Sequence, residues 1–128
     1  MLQSIVAHVA TACGLETEDE SFDEELLSYI NGALGAISQQ GCGKPEMQVV
    51  DRKAEWPSIL TPEELATPIA GMVPEYLVVQ TRILFDPPPQ GTQRFMEEHL
   101  NELLWRIGIQ EGLLEKSKEE EEIQNGKL

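Results

Sequence analysis

Leu2, Ile5, Val6 and Val9 recur at the spacing of one helical face, with Cys13 continuing it and Gly14 as a natural stop. That spacing predicts a first short helix over residues 1–13. A wider apolar stripe follows from Leu26 through Ile30, Leu34 and Ile37, with Leu27 and Ala33 beside it, and Gly41 ends it. Ser21 stands three residues before Glu24, so the pair reads as a capping box, and Asp23, Glu24 and Glu25 suit the positive end of a helix dipole. Gly32 and Gly35 weaken this second helix or admit another helix closely. Residues 43–60 break the helical period. Met47, Val49 and Val50 are expected to form a short strand, with a turn at Asp51 and Arg52 and a return over Ala54 to Trp56; an isolated hairpin is marginal, so this segment calls for a neighbour.

Thr61, Pro62, Glu63 and Glu64 spell a second capping box with proline at the first helical position. Pro68 and Pro74 should keep that helix short. A longer helix is expected to begin near Pro74, carrying Tyr76, Leu77, Ile83 and Leu84, and to stop at FDPPPQG, because three successive prolines cannot continue it. Thr92 then caps a last strong helix, with Met96, Leu100, Leu103, Leu104 and Ile107 on one face, Glu97, Glu98 and Glu102 on the wet side, and Gly108 and Gly112 at a fraying end. The remaining EKSKEEEEIQNGKL is polar and acid-rich and reads as disordered on its own. The fold class is therefore mainly α: a small helical bundle with an extended loop or short hairpin between helices and a flexible C-terminal tail, divided into a helical domain over residues 1–112 and an acidic tail over 113–128.

With 128 residues, one domain can bury a real core without a metal or disulfide staple. There are 23 acidic residues against 9 basic ones, a net charge of -14. That argues against a protein that grips nucleic acid through phosphate contacts or docks on an anionic membrane. Residues 16–25 alone hold seven acids and no base, which makes the start of that stretch a solvated loop. The opening MLQSIVAHVATAC has no basic n-region and no long apolar run, so neither a secretory signal nor a membrane span is expected. Cys13 and Cys42, the two cysteines, read as reduced intracellular thiols.

Candidate chemistry is sparse. GCGK at 41–44 lacks the glycine spacing of a phosphate loop, and Pro45 stands where Ser or Thr should hold magnesium, so a helix stop and turn is the favoured reading. His8 and Cys13 are poorly spaced for one helical face and His99 stands alone, so no metal or other cofactor is expected. No nucleophile elbow, catalytic-cysteine signature or dinucleotide fingerprint occurs, which argues against an enzyme. Pro87, Pro88 and Pro89 are read as a rigid turn in preference to a ligand for a proline-reading domain. Trp105 is expected in the core. Trp56, in a loop-rich stretch, is the better contact for a neighbour.

SFDEELLSYINGAL, QQGCG, DRKAEWPSIL, YLVVQTRILFDPPP and EEHLNELLWRIGIQ follow one another in an order and spacing that resembles the head–tail connector (adaptor) proteins of long-tailed bacteriophages, over residues 21–110. The resemblance implies a virion structural protein at the phage neck, made in the host cytoplasm. It implies a homo-oligomeric ring, commonly of twelve copies, under the portal protein. That ring extends the DNA channel and meets a stopper or tail-completion protein. DNA passes through without specific binding, and no membrane is involved. By position, the portal-docking role falls on the tail, with Leu113, Leu114, Ile123 and Leu128 as its apolar residues. The extended segment between helices implies a subunit interface at Val49, Val50, Arg52 and Trp56. An acidic chain suits a conduit that does not hold phosphates, and Glu16, Glu18, Asp19 and Glu20 are the channel-facing candidates. The rival from another class is a soluble acidic regulatory protein that binds a basic partner surface, which salt would dissociate. A third reading, an enzyme, would require a concave site with convergent polar groups.

Overall fold

Among the described residues there are six helices: α1 (Ile5–Ala12), α2 (Asp23–Ser38), α3 (Trp56–Ile59), α4 (Pro62–Leu65), α5 (Ile69–Phe85) and α6 (Gln90–Gln124). The computed structural model describes residues 4–45 and 47–126; Leu2 and Leu128 lie outside them. The mainly α expectation holds. α5 is the central element and packs against α1, α2, α4 and α6. Ile69, Val73 and Leu77 on α5 meet Ile5, Val6 and Val9 of α1, Leu26, Ile30, Leu34 and Ile37 of α2, and Leu100, Leu103 and Ile107 of α6 in one core. The apolar stripes read from the sequence are the faces that meet there.

Helix ends show where local chemistry was readable. At α1 the Ser4 hydroxyl accepts the Ala7 N–H at 3.2 Å. At α4 the capping box forms in both directions: Thr61 Oγ1 accepts the Glu64 N–H at 3.1 Å, and Glu64 Oε1 accepts the Thr61 N–H at 2.9 Å. The Ser21 box does not form. Ser21 turns back to Asp19, giving its N–H at 3.0 Å and its hydroxyl to Oδ1, and α2 starts after Phe22 with no side-chain cap. A short polar side chain has local backbone alternatives to capping, and here one of them wins.

The hairpin expected over 43–60 is absent: the described residues contain no strand, only a single bridge between Ser4 and Glu55. Val49 instead pairs with a side chain. Its N–H donates to Asn31 Oδ1 at 2.8 Å and its carbonyl accepts from Asn31 Nδ2 at 2.7 Å. The amide on α2 thus supplies the donor and acceptor that a neighbouring strand would have offered. The return segment becomes α3.

α5 begins at Ile69, earlier than Pro74, with Pro68 as its N-cap and Pro74 inside the helix. The proline forfeits one donor to the Ala70 carbonyl without ending the helix. The proline run does set the turn between α5 and α6, with Pro89 as the N-cap of α6. That last helix is 35 residues long. It runs through Gly108 and Gly112 to Gln124, so the stretch expected to be disordered is helix as far as Gln124, and no break marks the expected boundary at 112.

GCGK is a turn, as expected. Gly41 and Gly43 take φ +81° and +94°. A Cβ at Gly43 would meet the Met47 sulfur and lie 3.1 Å from the Ile59 carbonyl oxygen. Gly43→Ala is therefore expected to lose about 1–2 kcal/mol, from left-handed backbone strain and crowding, measurable as a lowered denaturation midpoint.

Candidate functional site

α6 has one apolar face turned inward, and its outward side mixes charged residues with large apolar ones. Leu100, Leu103 and Ile107 point into the core, with Met96, Leu104 and Leu114 packed beside them. On the other side Phe95, Trp105, Ile109, Leu113 and Ile123 are exposed, Phe95 at 73% and Trp105 at 67%. At about 100° per residue these five fall within an arc of about 80°, interleaved with the exposed charges of Glu98, Glu102, Lys116 and Glu120: Phe95 and Leu113 are about five turns apart on one line, as are Trp105 and Ile123, with Ile109 between. The stripe runs about 42 Å along the helix. Trp105 is thus not a core residue. Trp105 sits on the side turned away from Leu100, Leu103 and Ile107. The large apolar side chains exposed there make this side the candidate contact surface.

This long outward face stands on a helical body whose motif order follows a known pattern. The phage connector protein family matches residues 5–113. The chain belongs to that family. No curated protein and no solved structure matches it. The family is a structural one, tied to phage head–tail assembly with other virion proteins, and no helix among the described residues is long and apolar enough to cross a membrane. The match covers the stripe from Phe95 to Leu113 and ends before Ile123.

The connector's expected site residues are distributed unevenly. Leu113 and Ile123 stand exposed on the stripe, whereas Leu114 turns back against the core. Of the segment expected to meet a neighbouring subunit, Val50 is exposed at 67% and Trp56 is half-buried, edge-on to His8 with ring centres 5.7 Å apart. Val49 and Arg52 are turned inward. Val49 is buried and paired with Asn31. Arg52 grips the acidic loop of its own chain: Nε and Nη2 hold the Asp23 carboxylate at 2.7 and 2.8 Å, Nη1 reaches the Thr17 carbonyl at 2.5 Å and Nη2 the Asp19 carbonyl at 2.6 Å. The hydrogen bonds it gives to Asp23 raise the guanidinium further above its usual range, against the pull of desolvation. Nothing in the local sequence announced this clamp, because Arg52 and Asp23 are far apart in the chain.

Glu16, Glu18 and Glu20 are exposed around that clamp, with Glu20 at 4.0 Å from Arg52 Nε. Asp19 is partly covered, and the hydrogen bonds it accepts from Ser21 hold its carboxyl below the usual range. These acids are brought together as one solvated surface.

A second grouping was not foreseen. Cys42, Glu64 and Glu111 direct a thiol and two carboxylates at one another within 4.8 Å, short of the four ligands of a closed zinc site. Glu64 is legible as a capping residue, but its second oxygen also accepts the Gly43 N–H at 2.8 Å, and no sequence signal pointed to Glu111.

Proposed function

We propose that this connector assembles as a ring beneath the portal, extends the DNA channel there, and links the capsid vertex to a stopper or tail-completion protein below. The observation that carries the reading is the set of large apolar side chains exposed on the outward side of α6: Phe95, Trp105, Ile109 and Leu113. A ring is built from heterologous contacts, in which one surface of a subunit meets a different surface of the next. The α6 face, with Trp105 as an aromatic anchor, is one such surface. The arm over residues 47–56, where Val50 stands exposed and Trp56 half-exposed, is the other. The distal part of the stripe, Leu113 and Ile123, is the portal-docking end. Repeated around a ring, the acids Glu16, Glu18, Asp19 and Glu20 would give the channel a negative field that repels phosphates.

The double variant Trp105→Glu with Ile109→Glu tests this reading. Both side chains are exposed, so the monomer should melt as the wild type does. Mixed with the portal and imaged, the wild type should form rings on it and the variant should not. A variant that assembles normally would refute the proposed contact.

A further inference from the structure

Cys42, Glu64 and Glu111 come from three distant stretches: the turn after α2, the short helix α4, and the distal half of α6. Cys42 and Glu64 are each only 3% exposed. Glu64 is well supplied with donors, taking the Thr61 N–H on Oε1 and the Gly43 N–H on Oε2; such bonds favour a charged carboxylate. Glu111 has no equivalent. Its Oε1 is sealed from solvent and accepts no hydrogen bond, a costly position for an ionised oxygen. The groups that face it are Glu64 from α4, Cys42 from the turn and, along its own helix, Lys118. Two carboxylates this close, one of them buried and the other with a sealed oxygen, do not both stay ionised.

We propose that Glu111 is protonated at neutral pH and donates its O–H to Glu64, so that one shared proton latches α6 to α4 and to the turn at Gly41–Gly43. The proposal concerns the chain's own architecture and stands apart from the ring. The proton belongs on Glu111 because Glu64 already holds two backbone donors. Burial, then the hydrogen bond and charge of Glu64, push Glu111 up to about 8. Burial also works to raise Glu64, but hydrogen bonds from Glu111, Gly43 and Thr61 outweigh it and hold Glu64 below the usual carboxylate range. Cys42 is raised by burial first and by both carboxylates next, so it remains a thiol and adds a weak S–H donor facing the pair. With these two protons every oxygen has an environment it tolerates, and no cation is required.

The folded chain then keeps a proton that the unfolded chain releases above the ordinary value of 4.5. Stability from this group is complete at acid pH. It declines as pH rises from about 5, with the unfolding constant growing by up to about tenfold per pH unit, and the decline levels off above about 8.

The test is equilibrium unfolding of the full chain and of Glu111→Gln between pH 5 and 9. Glutamine keeps an N–H donor for Glu64 and does not titrate. The wild type should show the steeper rise in unfolding constant between pH 5 and 8. Infrared spectra of the wild type in D₂O at neutral pD should show a protonated carboxyl stretch, a readout that needs no variant. Parallel pH profiles would overturn the proposal, as would absence of that band. So would stoichiometric Cd²⁺ binding at neutral pH with a thiolate charge-transfer band lost in Cys42→Ser, which would make the cluster a metal site.

Discussion

Leu77→Ala is expected to destabilise the chain by about 3 kcal/mol, as the lost transfer free energy of a buried leucine plus the cavity left behind. Leu77 is fully buried on α5, the helix that touches α1, α2, α4 and α6. The cavity would open between several elements, none of which can collapse into it alone. Urea denaturation should show a lower midpoint with an unchanged slope. Trp105→Ala provides the contrast. Trp105 is a larger side chain, but it is exposed, so its loss should stay within about 0.5 kcal/mol. A core tryptophan would cost about 3–5 kcal/mol, so a loss of that size would return Trp105 to the interior.

Arg52→Ala should remove about 2 kcal/mol, within the range for hydrogen bonds to a charged group. The guanidinium side chain is 19% exposed and its partner Asp23 22%, so water screens only part of the interaction. The loss is shared between two elements. Asp23 opens α2, and the carbonyls of Thr17 and Asp19 belong to the loop before it. Without Arg52 the acids of residues 16–25 repel one another with no internal cation to gather them, and limited proteolysis within this loop should speed up. Arg52→Lys should recover less than half of the loss, because an ammonium cannot reproduce the planar fork that spans a carboxylate and two carbonyls. Full rescue by lysine would show that charge alone holds the loop.

What could be read from the sequence were interactions local enough to leave a period or a motif. The α2 stripe of Leu26, Ile30, Leu34 and Ile37 is the α2 core face, and the Thr61–Glu64 box forms in both directions. Where a local rule had a competitor, the structure shows which won. Ser21 chose Asp19 over the helix end. Pro74 cost α5 one hydrogen bond but not its continuity, since packing on several sides outweighs a single missing donor. The stretch after Gly112 has little apolar surface, which argued for disorder. It is, however, rich in Glu and Lys, good helix formers, and it extends a helix already nucleated, so each added residue escapes the nucleation penalty. Trp105 was misplaced because its bulk was weighed above its angle: at about 100° per residue it stands on the far side of α6 from Leu100, Leu103 and Ile107. Arg52 with Asp23, Asn31 with Val49, and Glu64 with Glu111 left no trace in the sequence because each joins residues that only the fold brings together.

The length of α6 has a mechanical consequence. At 35 residues it measures about 52 Å, and about 15 Å of it lies beyond Leu114, its last residue packed on the core. A tilt of about 10° at that point would swing the helix tip by about 3 Å. The body would then serve as a fulcrum and the overhanging end as a pointer, passing small rearrangements between packed helices on to whatever the tip touches.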